Sequence, residues 1–196
     1  MAKGRPREFD PDEALDKAMM VFWQQGFESA SLSDLTEAMG ISRPSLYAAF
    51  GNKEELFRRA IERYVETGPA ADHLAALAEP TARAVVARML RTKAESLTDP
   101  CHPLGCMVVR GAFSCGEADQ SIKDKLAELC SSAEAALTER FERAKAEGDL
   151  PPSSNPAVLT RYVSALIQGM SVQASGGATQ EQLLDVAEMA VASWPS

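Results

Sequence analysis

The 196-residue sequence contains no apolar run approaching the ~20 residues that a bilayer crossing requires. Its start, MAKGRPREFD, is charged and lacks the apolar stretch of a secretory leader, so no membrane partner and a cytoplasmic location are expected. Histidine is scarce: His73 and His102 are the only two, and neither lies in a metalloprotease, nucleophile-elbow or phosphate-loop signature. Hydrolytic chemistry has little to work with, and neither catalysis nor a cofactor is expected. Only four cysteines occur, Cys101, Cys106, Cys115 and Cys130, all in one part of the second half. Thiols in a reducing compartment stay unpaired, so these residues read first as small apolar core residues. Positive charge is in deficit, with 20 Lys and Arg against 28 Asp and Glu and a net charge of −8. Strand signals are nearly missing as well.

Helix signals fill the chain instead. In DPDEALDKAMMVFWQQGF, Asp10 is an N-cap, Pro11 takes the first helical position and Glu13 follows three residues after the cap, the spacing of a capping box. Leu15, Ala18, Met19 and Phe22 recur at helical spacing and Gly26 ends the segment. SLSDLTEAMG repeats this logic with Ser31 as cap, Asp34 as acidic partner and Gly40 as terminator. A shorter helix follows from Ser42, with Pro44 tolerated in its first turn, and NKEELFRRAIERYVETG opens with Asn52 and Glu55 in a further capping box.

The two short helices are too short to stand alone in water, so they must dock on the longer ones. Leu46 and Phe50 form the docking face of the third helix, with Phe22, Phe27, Phe57 and Ile61 as partners. Arg43, Pro44, Tyr47 and Ala48 then face outward. Two short helices joined by a tight turn, the second presenting such a stripe, match a helix-turn-helix whose second helix enters the DNA major groove. Local charge agrees with this although bulk charge does not. Residues 1–64 hold nine Lys and Arg and eleven Asp and Glu, a net of −2, yet between Glu37 and Glu54 there is no acidic residue and there are two cations, Arg43 and Lys53. A carboxylate facing a phosphate backbone would repel it. Lys3, Arg5 and Arg7 form a basic arm ahead of the first helix, and Lys53 opens the fourth, where free backbone amides also favour an anion.

The run GISRPSLYAAFGNKEELF, preceded by SASLSDLTEAMG, resembles the DNA-binding domain of the TetR (tetracycline-repressor) family over about residues 9–60. The resemblance implies an all-α protein with an N-terminal three-helix helix-turn-helix domain at 1–52, a linking helix at 53–67 and a helical effector-binding and dimerisation domain at 68–196. It also implies a homodimeric transcriptional regulator, most often a repressor, released from a palindromic double-stranded DNA operator by a small-molecule effector. DNA contacts are assigned to Arg5, Arg7, Ser31, Ser42, Arg43, Pro44, Ser45, Tyr47 and Lys53. Relatives often carry His or Tyr just before the Phe of the third helix. Ala49 stands there in this chain, which leaves Tyr47 and Lys53 to carry the phosphate contacts.

Beyond Gly68, helices are expected from Pro80 to Leu97, from Leu104 to about Cys115 behind Pro103, and over QSIKDKLAELCSSAEAALTERFERAKAEG. Two more follow the DLPPSSNP linker, and apolar residues extend around more of each than one core-facing stripe needs. Composition leaves open a deeply buried pair or a subunit interface. The resemblance implies the interface, a four-helix bundle built from two helices of each protomer, with Val163, Leu166, Gly169, Leu184, Ala187 and Val191 as contacts. Two accounts of the effector stand side by side. In one, a small apolar molecule is held near Cys106 by Met107, Phe113, Tyr162, Leu166 and Met170. In the other, Cys106 is a redox or electrophile sensor, because a helix N-terminus favours the thiolate form of a nearby thiol. The Gly-Cys-apolar run here also resembles that of some TetR-family C-terminal domains. A small helical metal-binding protein is a third reading, with CHPLGC and Cys115 as ligands, but the spacing is not that of a zinc site and no metal is assigned.

Overall fold

The computed structural model describes residues 9–67, 75–114 and 120–195. Lys3, Arg5, Arg7, His73 and Cys115 lie outside the described residues, as does the side chain of Phe113. The described residues form nine helices and no strand: α1 (Pro11–Gln25), α2 (Leu32–Met39), α3 (Arg43–Phe50), α4 (Lys53–Thr67), α5 (Ala82–Leu97), α6 (Met107–Ser114), α7 (Gln120–Ala146), α8 (Pro156–Ser175) and α9 (Gln180–Ala192).

The caps behave much as the sequence predicts. Asp10 accepts from the amides of Asp12 and Glu13, and Gly26 closes α1. In α2, Ser31 and Asp34 form a full capping box and Gly40 ends the helix in the left-handed conformation. The boxes predicted at α1 and α4 are only half made. Glu13 turns to Lys17 at 2.8 Å, and Glu55, whose amide donates to Asn52 Oδ1 at 2.8 Å, gives its carboxylate to Arg58.

Two hydrophobic cores result. The first gathers Phe22, Trp23, Phe27, Leu35, Leu46, Phe50, Leu56, Phe57, Ile61 and Tyr64, with Phe57 packed against both Phe22 and Phe27 at 5.0 Å between ring centres. Met107, Ile122 and Leu126, from α6 and α7, belong to the same core. The second is built by α5, α7, α8 and α9 around Val86, Leu90, Phe141, Met170 and Trp194. Cys106 packs against both.

The start of α6 departs from expectation. Pro103 does not open a helix at Leu104, because Gly105 sits at φ +85°, outside the right-handed helical region. Helix α6 begins at Met107, and the Cys106 carbonyl takes its first bond, from the Arg110 amide at 2.9 Å.

Candidate nucleic-acid interface and its link to the second core

Helix α3 is positioned from beneath and from both ends. Leu46 and Phe50 are buried in the first core, Ser42 caps the N-terminus by accepting from the Ser45 amide at 3.3 Å, and Arg59 of α4 donates to the Ala49 carbonyl at 3.1 Å while its guanidinium lies 4.9 Å over the Phe50 ring. The opposite face carries Arg43, Pro44, Tyr47 and Ala48, all exposed, with Tyr47 at 50%. No carboxylate lies in α3. The stripe read from residue spacing is therefore the stripe the helix presents.

The flanking residues sort by what holds them. Ser45 is half-buried, its hydroxyl 2.9 Å from that of Ser42. Ser31 is committed to its cap, accepting from the Asp34 amide at 3.1 Å, and its hydrogen bonds hold Asp34 below the usual carboxylate range. Lys53 Nζ lies 4.5 Å over the Phe27 ring and 3.3 Å from the Glu28 carbonyl, at the rim of an open depression lined also by Tyr47 and Asn52. One partner of Arg43 has no precedent in the sequence reading: its Nη2 donates to Ser33 Oγ on α2 at 2.8 Å.

A second set of contacts, also unseen in the sequence, ties this unit to the other core. The tripeptide Leu104–Cys106 is held by three hydrogen bonds, one with α1 and two with α8. The Trp23 indole N–H donates to the Gly105 carbonyl at 3.0 Å, the Cys106 amide to Ser171 Oγ at 2.9 Å, and Ser175 Oγ to the Leu104 carbonyl at 3.4 Å. Trp23 is also stacked on His102 at 4.4 Å and meets Tyr64 edge-on at 4.9 Å. His102 lies 3.6 Å from Asp99. The Tyr64 hydroxyl donates to Cys106 Sγ at 3.5 Å, and burial first, then the neighbouring Cys106, pushes its ionisation far above the ordinary tyrosine range. The Asp99 carboxylate beside Cys101 pushes the ionisation of that thiol up, and burial does the same for Cys130. Among the described residues no group of three His, Cys, Asp or Glu side chains could hold a metal ion.

The described residues assigned to an effector pocket are spread over the two cores, with Cys106 packed against both. Met107 is buried in the first core and Met170 in the second, Leu166 packs on the second, and Tyr162, 41% exposed, faces outward from α8. Two depressions among the described residues, one between Phe27, Tyr47 and Lys53 and one between Phe57, Ile61, Ile122 and Leu126, include none of these.

Two of the residues assigned to the dimer interface require correction. Val163 and Ala187 are fully buried in the protomer's own second core, so their side chains have nothing left to offer a partner. Gly169 is exposed and a Cβ there would meet nothing within 4 Å, while Leu166, Leu184 and Val191 are half-buried. Around Gly169 on α8 the outer face carries Val158, Tyr162, Ala165 and Val172, and α9 adds Met189, which is 73% exposed.

Two short helices joined by a tight turn, the second capped and free of carboxylates, have the form of the helix-turn-helix class of DNA-binding proteins. Comparison with known proteins fixes the lineage. The family model described as "Bacterial regulatory proteins, tetR family" matches residues 14–60, and that described as "Tetracyclin repressor-like, C-terminal domain" matches residues 82–191. The chain is 36% identical over 99% of its length to the HTH-type transcriptional repressor ComR of Escherichia coli K12, covering 93% of that protein. It is 33% identical over 95% of its length to the HTH-type transcriptional repressor BdcR of the same organism, covering 90%. A solved structure of the TetR-family regulator CifR, a cysteine mutant complexed with operator DNA, superposes with a TM-score of 0.92 at 40% identity, covering 97% of this chain and all of that one. This chain belongs to the TetR family of transcriptional regulators. No described helix is long and apolar enough to cross a membrane.

Proposed function

We propose that this chain is a homodimeric, cytoplasmic repressor that holds a palindromic operator and releases it when an effector acts on the region around Cys106. The observation that carries the reading is the outer face of α3: Arg43, Pro44, Tyr47 and Ala48 exposed together, with Lys53 at its end and no acidic residue from 38 to 53. The structures of CifR mutants complexed with operator DNA support operator binding as the function of this chain. Dimerisation is supported by the exposure of the apolar side chains Val158, Tyr162 and Val172 on α8 and Met189 on α9. A twofold axis through that surface would impose a palindromic site. The functional division follows the same lines, with residues 1–52 reading DNA, the helix from 53 to 67 linking, and 68–196 dimerising and receiving the effector.

The test separates the roles of Lys53 and Arg43. Lys53→Ala should weaken binding to every duplex and lower the log–log salt slope by about one per protomer contact, because a lost phosphate contact returns its counterion. Arg43→Ala should instead relax discrimination between an operator selected from a randomised duplex pool and random sequence. Unchanged affinity of both variants would refute the assignment of this face.

The second reading, Cys106 as an electrophile sensor, is favoured by one observation: Cys106 packs against both cores, and its sulfur accepts from Tyr64. N-ethylmaleimide provides the probe. The thiol would give up its proton and its sulfur would add to one alkene carbon, the C=C π bond breaking as the C–S bond forms. The adjacent carbon would take up a proton, so that the S–H is exchanged for a C–H with no oxidant or reductant needed. The added bulk would separate Tyr64 from Cys106 and disturb the junction. Wild type should lose operator affinity on treatment and Cys106→Ser should not. Equal loss in both, or none in wild type, would leave reversible ligand binding as the releasing event.

A further inference from the structure

We propose that Ser33 of α2 is a specificity-determining positioning residue, which holds the guanidinium of Arg43 in the orientation from which it reads a base. This rests on the proposed use of the α3 face for operator binding. Arg43 is the first residue of α3 and Ser33 the second of α2, ten residues apart, so the bond from Nη2 to Ser33 Oγ at 2.8 Å braces one element of the pair against the other at their exposed edge.

The chemistry of the partner matters. Asp34, the carboxylate next to Ser33 in sequence, is engaged with Ser31 through Oδ2 at 3.0 Å. Arg43 is therefore held by a neutral hydroxyl, which leaves its charge unspent. One N–H of the fork is used, and enough remain for the paired contact that guanidinium makes with guanine O6 and N7. A long, exposed side chain otherwise samples many rotamers, and binding must freeze them. Holding one in advance lowers that cost. The same brace is useless for non-specific binding, because a phosphate accepts a guanidinium from many directions.

The test uses the full-length dimer and three variants, Ser33→Ala, Ser33→Thr and Arg43→Ala, titrated against the duplex that wild type selects from a randomised pool and against random duplex. Ser33→Ala removes an exposed hydroxyl and substitutes a better helix former, so the protein should still fold. Its affinity for the selected duplex should fall about fivefold per protomer, with affinity for random duplex and the salt slope unchanged. Ser33→Thr, which keeps the hydroxyl, should restore discrimination. In the Arg43→Ala background, Ser33→Ala should have no further effect. The inference is overturned if Ser33→Ala weakens both duplexes equally with a reduced salt slope, which would make Ser33 a phosphate contact. It is also overturned if the loss persists without Arg43 or if discrimination does not change. A wild type that binds selected and random duplexes alike would instead refute the proposed function.

Discussion

Replacing Gly105 by alanine tests how tightly the two cores are joined. Gly105 adopts φ +85°, where an L-residue pays about 1–2 kcal/mol in local strain. A Cβ would come within 2.2 Å of Ser175 Oγ and 3.0 Å of the Ser171 carbonyl oxygen. The hydroxyl can rotate away, at the loss of its bonds to Leu104 and Ser171, a net of about 1 kcal/mol. The Ser171 oxygen belongs to the backbone of α8 and yields less readily. Together these terms give a destabilisation of about 2–4 kcal/mol, measurable by urea unfolding at fixed protein concentration, since dimer formation would otherwise alter the apparent value. Ser175→Ala removes the nearest clashing atom. The double variant should therefore cost about 1 kcal/mol less than the sum of the single variants. Because the Gly105 carbonyl is the acceptor for the Trp23 indole, the fluorescence of Trp23 should change in Gly105→Ala as well. A cost below about 0.5 kcal/mol, or strict additivity with Ser175→Ala, would refute the view that this tripeptide is clamped between α1 and α8.

Two further outcomes are expected. Gly169→Leu should leave the protomer folded, because the position opens onto free space, but should shift the protein towards monomer in analytical ultracentrifugation; an unchanged dimer affinity would remove Gly169 from the interface. Asp34 titrates below its ordinary value of 3.8 in the folded protein, so its contribution to stability is present above that pH and is lost as pH falls through the lower folded value. Acid unfolding below about pH 4 should therefore be shallower in Asp34→Asn than in wild type, and identical acid limbs would contradict the capping geometry.

Most of the helical architecture was legible because its signals are local. Asp10, Ser31, Ser42 and Asn52 all act as predicted, since a cap is decided by a few consecutive residues. The α3 stripe was legible for the same reason: once Leu46 and Phe50 point inward, helical geometry turns Arg43 and Tyr47 outward. Where structure and sequence signal part, the deciding atom lies far away in sequence. Gly105 overrides the helix signal of Pro103 by its positive φ, and the space beside it is filled by Ser171 and Ser175, which spacing along the chain does not reveal. Val163 and Ala187 are interface contacts only through the family resemblance, because apolar residues extending beyond one stripe of each helix give no sign of which side meets the protomer's own core. Ser33 and Trp23 likewise carry no signal of their own, because each matters only through a partner on another element.

The first core does not end with the four N-terminal helices. Met107, Ile122 and Leu126 close it from the far side of the chain. A recombinant fragment stopping at Thr67 would present the faces that Phe57, Ile61 and Tyr64 now bury to solvent, and should aggregate or remain partly folded. Chimeras that join this operator reader to another sensor would meet the same obstacle. The unit that can be exchanged intact includes the Leu104–Cys106 turn, α6 and the first turns of α7, so transplantable specificity in this protein is a property of a discontinuous stretch of chain.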